Sequence, residues 1–404
     1  MTEWIEAAEA ARRLGIKQAS LYSYVSRGVL TRRRSPHGRG SMFRAAEVEG
    51  LARRGRPRRA PAAELVIETE LTEIAGDQLR YRGRDVTELA GQHRFEEVCG
   101  LLWSGELADP AGADTWQAPA AAVAAGTAAQ AGLPARTLPL ERLQVVVPAL
   151  AAADPLRLQL GQPAVIAAAR SLIAGMIECL PLPPGGRAVS SGPIAARLAS
   201  RLCPVPLPSG LTSALSAALV LLADHELAAS TLAARVAASV RADPYAVVSA
   251  GLAALGGWLH GGASLGAEVM LASAEGPADA GRVVGDLLRR GERIPGFGHF
   301  VYQAGDPRAV LLMRILRQAV PGAPQLDVAE AFFAEARGRA LPEPNIDFAL
   351  AALAGVAGLI PGAGEAIFAV ARVAGWIAHG LEEYARNIPI RPRAIYTGPP
   401  AAGL

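Results

Sequence analysis

Lysine is nearly missing from this chain: Lys17 is the only one, so almost all of the positive charge is arginine. A single arginine therefore says little, because the base composition of the coding DNA is enough to place it. Aromatic residues make up 5% of the chain. Clean runs of valine, isoleucine and threonine are scarce, which argues against a sheet-built architecture. The three cysteines, Cys99, Cys179 and Cys203, are far apart and form no CxxC pair. That excludes a disulfide framework and a zinc site and suits a reducing cytoplasm. No clustered ligands call for a metal. The first residues, MTEWIEAAEAARR, carry acids and no apolar signal core. The longest apolar run, near Leu211 to Ala223, is too short to span a bilayer and ends at Asp224, His225 and Glu226. No Walker or Rossmann glycine pattern occurs, so nucleotide hydrolysis and hydride transfer have no support. These absences predict a soluble, cytoplasmic protein that makes no use of a membrane.

What remains is abundant alanine and a 51% hydrophobic composition spread over 404 residues. Alanine favours helices in close contact, and the length favours more than one domain. The expected fold class is all-α.

Charge is unevenly spread. Residues 1–60 hold 14 basic and 5 acidic side chains, a net of 14 − 5 = +9; with +3 for the whole chain, the remainder carries −6. Within this basic front, Thr2 is placed to cap a helix carrying Ile5, Ala8 and Leu14 and ended by Gly15. ASLYSYVSRG forms a second short helix closed by Gly28. TRRR, a turn at Pro36–His37–Gly38, and SMFR then read as a hairpin. Helix returns from Ala45 to Leu51.

EAARRLGIKQASLYSYVSRGVL resembles the helix-turn-helix of the MerR/excisionase type, and the hairpin and FRAAEVEGL fit a wing and its following helix. The resemblance implies that Ser20, Ser23, Tyr24 and Arg27 face a DNA major groove. It also implies that Arg32, Arg33, Arg34, Arg39 and Arg44 meet the phosphate backbone. The alternative is a module, residues 1–52, kept for protein contacts. In the linker, residues 53–63, RGRP has the form of an AT-hook, which slips arginines into the minor groove. The pattern is only four residues long in an arginine- and proline-rich chain, and a solvated basic linker is the better account of it.

From Glu64 the text changes. RIPGFGHFVYQAGDPRA, Arg293 to Ala309, sets His299 in a glycine-punctuated turn and Arg308 just after a proline. Glycine lets backbone approach a ligand, histidine titrates near neutrality, and arginine clamps a carboxylate with two hydrogen bonds. Together they suggest a site for an anionic substrate. LTEIAGDQLRYRGRDVTELAG, LADHELAASTLAARVAASVRADPYAVVSAGLAALGGWLHGGAS, PNIDFAL, FAVARVAGWIAHGLEE and IPIRPRAIYTGP accompany it in order. This ordered set resembles the citrate synthase family over residues 64–404. Residues 105–205 match poorly.

The resemblance implies a large helical domain with a small domain, residues 261–352, inserted in it. It implies condensation of acetyl-CoA with oxaloacetate, with no permanently bound cofactor. Removing a methyl proton beside a thioester needs a base and support for the enolate oxygen. Asp347 becomes the base, although an aspartate after Pro344–Asn345–Ile346 also suits a helix cap. His260 becomes the donor to the thioester carbonyl. His299 becomes the acid at the oxaloacetate ketone, and His225 hydrogen-bonds the same substrate. Arg308, Arg372 and Arg391 take the carboxylates, Arg391 from the neighbouring subunit of a homodimer. Ile294, Gly296 and Phe297 hold the CoA adenine, with Asn345 near the pantetheine. His379 is left as structural, while His37 belongs to the N-terminal wing and His93 to an early helix.

The chain also departs from the family pattern. Trp258 replaces a usual proline, Ser264 a common asparagine, and Gln303 a basic residue that meets CoA phosphate. FALAAL stands where FYSG is usual after the aspartate. Such changes suit a different acyl group, as in a 2-methylcitrate synthase that takes propionyl-CoA. A second class of reading is a DNA-binding regulator whose body senses oxaloacetate or acyl-CoA.

Overall fold

The computed structural model describes residues 4–14, 18, 21–26, 29–35, 40–54, 66–109, 116–302 and 304–398. By internal contacts the chain divides into two units: residues 1–67 with 391–404, and residues 68–390. The family resemblance put 391–404 with the body; by contacts this segment groups with the first unit.

The first unit holds three strands, β1 (Trp4–Glu6), β2 (Arg32–Arg34) and β3 (Ser41–Arg44), in the antiparallel order β1-β3-β2. Helices Ala7–Leu14, Leu21–Ser26 and Ala45–Arg54 accompany them. A small core of Ile5, Ala10, Leu21, Leu30, Phe43 and Val48 binds the unit together. The sequence reading put Ile5 in the first helix. It lies instead in β1, opposite Phe43, and both side chains are buried. The strand wins because its partner, far along the chain, supplies an apolar surface that the helix does not. Thr2, the expected cap, lies outside the described residues, as does most of the expected linker. The last helix runs on to Arg54.

The second unit opens with another antiparallel sheet, β4 (Thr72–Ala75), β5 (Gln78–Tyr81) and β6 (Arg84–Asp85). The chain is predominantly helical, as the all-α reading of its bulk expects, with two small sheets besides. Everything after β6 is helical or loop among the described residues. At the centre lies a 24-residue helix, Ala363–Arg386, with 20 residues buried. A helix apolar on every side belongs inside a core. None of the described helices is long and apolar enough to cross a membrane.

That central helix positions the site. Gly375 donates its N–H to Ala223 O at 2.9 Å, and a Cβ there would lie 2.2 Å from Asp224 Oδ1. Only glycine lets the helix approach the 223–227 loop this closely. The sheet holds the same loop from the other side. Tyr81 Oη donates to Asp224 O (2.9 Å) and accepts from Asp224 N–H (3.0 Å). Thr72 Oγ1 donates to Asp224 Oδ2 (2.5 Å). His379, on the central helix, accepts from Arg235 at Nδ1 (2.7 Å), which leaves its Nε2–H for Asp224 Oδ2 (3.3 Å). His225, the next residue, is thus carried on a doubly fastened loop.

Candidate active site

A cleft of about 670 Å³ in the second unit brings together His225, His260, His299, Arg308, Asp347 and Arg372. Five separate stretches supply them.

His299 lies in a loop whose glycines turn left-handed, Gly296 at φ 77° and Gly298 at φ 79°. The loop is stitched to the segment before Asp347. Asn345 N–H donates to Gly296 O (2.9 Å), Gly298 N–H to Glu343 O (2.8 Å), and Asn345 Nδ2 to Gly298 O (2.8 Å). His299 Nδ1 accepts from the N–H groups of Val301 (3.0 Å) and Tyr302 (3.4 Å). Two N–H donors on Nδ1 favour the ring proton on Nε2, against the Arg308 Nη2 donor that lies 3.5 Å from Nε2. Burial first, and the Arg308 charge second, push the His299 pKa below its ordinary value. In the ligand-free protein this favours the neutral imidazole.

His225 is buried, with Nε2 3.0 Å from Tyr302 Oη and its ring edge-on to His299 at 5.2 Å. Burial, then Arg308 and Arg372, hold its pKa well below normal. His260 sits in a tight turn, with Nε2 2.7 Å from Ser230 Oγ. Burial and Arg372 bring its pKa down to about 4. With Ser230 on Nε2, Nδ1 is the edge left for a ligand.

Arg308 follows Asp306, which caps the helix Pro307–Ala319. Asp306 accepts from Arg308 Nε (2.9 Å) and Nη2 (2.8 Å) and also from Ile346 N–H (3.0 Å). One carboxylate thus fixes the Arg308 guanidinium and the start of the helix bearing Asp347. Arg372 is the more telling cation. It is 1% exposed and donates Nε–H to Leu222 O (2.7 Å). Among the described residues its Nη1 and Nη2 have no hydrogen-bond partner. Burial lowers its pKa to about 10 despite Asp224 nearby. Buried donors without partners are costly, and an incoming anion removes that cost.

Asp347 stands in the first turn of the helix Ile346–Ala357. The cap is Asn345, whose Oδ1 accepts from Asp347 N–H at 3.0 Å. Asp347 is thereby released from the capping role that its sequence context also suited. Burial raises its pKa to about 6, against the hydrogen bond from Ser264. That value suits a base at neutral pH.

Other predicted positions fare differently. Ile294, Gly296, Phe297 and Asn345 line the cleft. Asn345, however, spends its oxygen on the helix cap and one N–H on the loop. Arg391 is exposed and lies in the segment that groups with the first unit. Ser20, Arg27, Arg39 and Gln303 lie outside the described residues, and Ser23 is in the helix Leu21–Ser26. Tyr24 is half-buried against the first unit's core, a packing position that competes with facing DNA. Arg32, Arg33 and Arg34 are exposed along β2, with Arg33 4.3 Å above the Trp4 ring. Arg44 pairs with Glu47 at 3.6 Å. Sequence reasoning missed Tyr302, Ser230 and Asp306. Only Asp306 carried a signal, an Asp-Pro pair of the kind that starts helices. Among the described residues, no group of three or more His, Cys, Asp or Glu is placed to hold a metal.

A family model for the citrate synthase C-terminal domain matches residues 62–393. The chain is 35% identical to the citrate synthase of Haloferax volcanii, over 85% of this chain and 96% of that protein. It is 31% identical to the 2-methylcitrate synthase of Mycobacterium tuberculosis, over 80% of this chain and 85% of that protein. Its fold is similar to that of Thermotoga maritima citrate synthase, with TM-score 0.70 and 27% identity over 85% of this chain and 96% of that one. It is equally similar to the citrate synthase of Thermoplasma acidophilum in ternary complex with carboxymethyl coenzyme A and oxaloacetate, with TM-score 0.70 and 26% identity over 84% and 96%.

Proposed function

The chain belongs to the citrate synthase family, and we propose that it condenses acetyl-CoA with oxaloacetate to give citrate and CoA. The observation that carries this reading is Arg372. Two unpartnered guanidinium nitrogens are buried in the same cleft as a second arginine, three neutral histidines and a raised carboxylate.

In this reading Arg308 and Arg372 hold the oxaloacetate carboxylates, and His225 adds a hydrogen bond. His299 Nε2–H polarises the ketone. Asp347 takes a methyl proton from the acetyl group; the C–H electron pair moves into the enolate, whose oxygen meets His260 Nδ1–H. The enolate carbon then attacks the ketone carbon, and the ketone's π pair moves onto its oxygen, which takes a proton from His299. Water cleaves the resulting citryl thioester, its hydroxyl going to the acyl carbon and its proton to the departing CoA sulfur. The backbone near Ile294, Gly296 and Phe297 receives the CoA adenine. Residues 261–352 act as the small domain that closes over the substrates and excludes water. Arg391 completes the site from a second copy in a homodimer.

A specific observation favours a second acyl donor. FALAAL follows the base in place of the usual FYSG, and a 2-methylcitrate synthase is among the relatives. Mass spectrometry of the product separates the two: a citrate mass from acetyl-CoA supports the first reading. A 2-methylcitrate mass from propionyl-CoA, with acetyl-CoA idle, replaces it. For the N-terminal unit we propose duplex DNA as partner, on the strength of exposed Arg32, Arg33 and Arg34 on one strand and a basic front. Absence of duplex binding at low salt removes that proposal.

Binding oxaloacetate should take up protons. Burial and Arg308, joined by Arg372 at His225, disfavour the charged forms of His225 and His299. A dianion placed between them and the arginines reverses the sign of that field and raises both pKa values. Calorimetry at pH 6 in buffers of different ionisation enthalpy should therefore show net proton uptake. Binding heats that do not depend on the buffer contradict the neutral assignment.

A further inference from the structure

The helix Ala263–Ala272 begins beside the His260 turn and packs against the helix Ile346–Ala357, which bears Asp347. Its second residue, Ser264, is fully buried and donates its hydroxyl hydrogen to Asp347 Oδ1. One turn later Glu268 accepts from the N–H groups of Gly362 (2.8 Å) and Gly364 (2.7 Å). These two N–H groups open the central helix that carries Arg372. A Cβ at Gly364 would lie 2.8 Å from Glu268 Oε1 and 3.4 Å from the Ser264 Cβ. The glycine thus lets the two helices close on each other beside Ser264. Three helices, bearing the base, its hydrogen-bond donor and the buried arginine, are locked together at Ser264 and Glu268.

Resting on the assignment of Asp347 as base, we propose that Ser264 is a positioning residue: its hydroxyl occupies Oδ1 and leaves Oδ2 as the single atom that takes the methyl proton. The bond fixes the carboxylate plane, so that the C–H bond breaks toward one defined oxygen while the O–H bond forms there. It also favours the ionised base. A hydroxyl that donates to a carboxylate supports its charged form. The other charges facing Asp347 are Arg308 and Asp306, from the start of their helix, with Arg372 and Glu365 from the central helix. The two arginines support ionisation and the two acids oppose it, which leaves Ser264 as the neutral group able to tune the base without altering the substrate's clamp.

The test compares the pH dependence of kcat for wild type, Ser264→Ala and Ser264→Thr, with Asp347→Ala measured alongside. Ser264→Ala keeps Cβ and removes only the donor. Its kcat should fall about tenfold, the scale of a lost hydrogen bond to a charged group. The acid limb should move up by about one pH unit, because the carboxylate loses support for its charge. Oxaloacetate affinity should stay within about twofold, since no substrate-holding group is touched. Ser264→Thr, which retains the hydroxyl, should return the limb to the wild-type position. A purely structural serine would change thermal stability and leave the limb where it was. An unmoved limb in Ser264→Ala, with Asp347→Ala inactive, overturns the role of Ser264 and leaves the base intact. Full turnover in Asp347→Ala overturns the underlying reading and this inference with it.

Discussion

Replacing Arg372 with leucine should destroy oxaloacetate binding while leaving the ligand-free protein about as stable as before. The two outcomes come from the same observation. In the ligand-free protein Arg372 gains a 2.7 Å bond from Nε to Leu222 O and lies over the Phe368 ring at 4.7 Å. Against that stand a buried positive charge and two nitrogens without partners. A hydrogen bond to a charged group is worth about 1.5–3 kcal/mol, and leaving a buried polar group unsatisfied costs about 1–3 kcal/mol. The terms nearly cancel, and leucine adds apolar contact in a site walled by the core. Thermal melting should therefore stay unchanged or rise. Binding loses a buried charge pair, about 3–4 kcal/mol, so the oxaloacetate KM should rise ~10²–10³-fold. Arg372→Lys should not rescue it, because an ammonium cannot present two parallel donors. A leucine variant that melts much earlier, or one that binds oxaloacetate normally, contradicts the anion-clamp reading.

Asp347→Ala should reduce kcat by about 10³-fold or more, the range that a positioned general base contributes, with oxaloacetate affinity retained. The separation is expected because Arg308 is held by Asp306 and Arg372 by Leu222 O, neither by Asp347. With Asp347 as the base, the wild-type acid limb should fall near pH 6, where burial places its carboxyl. Above that pH the group is charged and able to accept a proton; below it the base is filled. The variant should lose this limb along with its rate. Exchange of acetyl-CoA methyl protons with deuterated solvent, in the presence of an oxaloacetate analogue, isolates the step and should vanish in the variant.

Much of this site is legible in the sequence because its parts lie in short ordered segments. Asp347 follows a Pro-Asn-Ile run, and Arg308 sits one residue past an Asp-Pro pair; both are local patterns. Orientation is not local. That Ser264 faces Asp347 across 83 positions, or that Ser230 meets His260 across 30, depends on how helices pack. The same holds for Asp306, whose second oxygen reaches Ile346 N–H, and for Arg372, where the missing partners carry the meaning. Strands were harder to read than helices. Ile5 sits in three residues of sheet specified by Phe43, and no window around Ile5 contains that partner. For Asp347 the sequence left two roles open, base and helix cap, and the bond from its N–H to Asn345 Oδ1 shows that the cap is its neighbour.

Release of free CoA thiol, followed with a thiol reagent, tests the central claim most directly. Acetyl-CoA and oxaloacetate together should release one CoA per citrate formed, with neither substrate alone giving release and Asp347→Ala giving almost none. Failure of both acetyl-CoA and propionyl-CoA to release CoA with oxaloacetate, or release that does not need oxaloacetate, contradicts a condensing enzyme built around Asp347, His260 and Arg372.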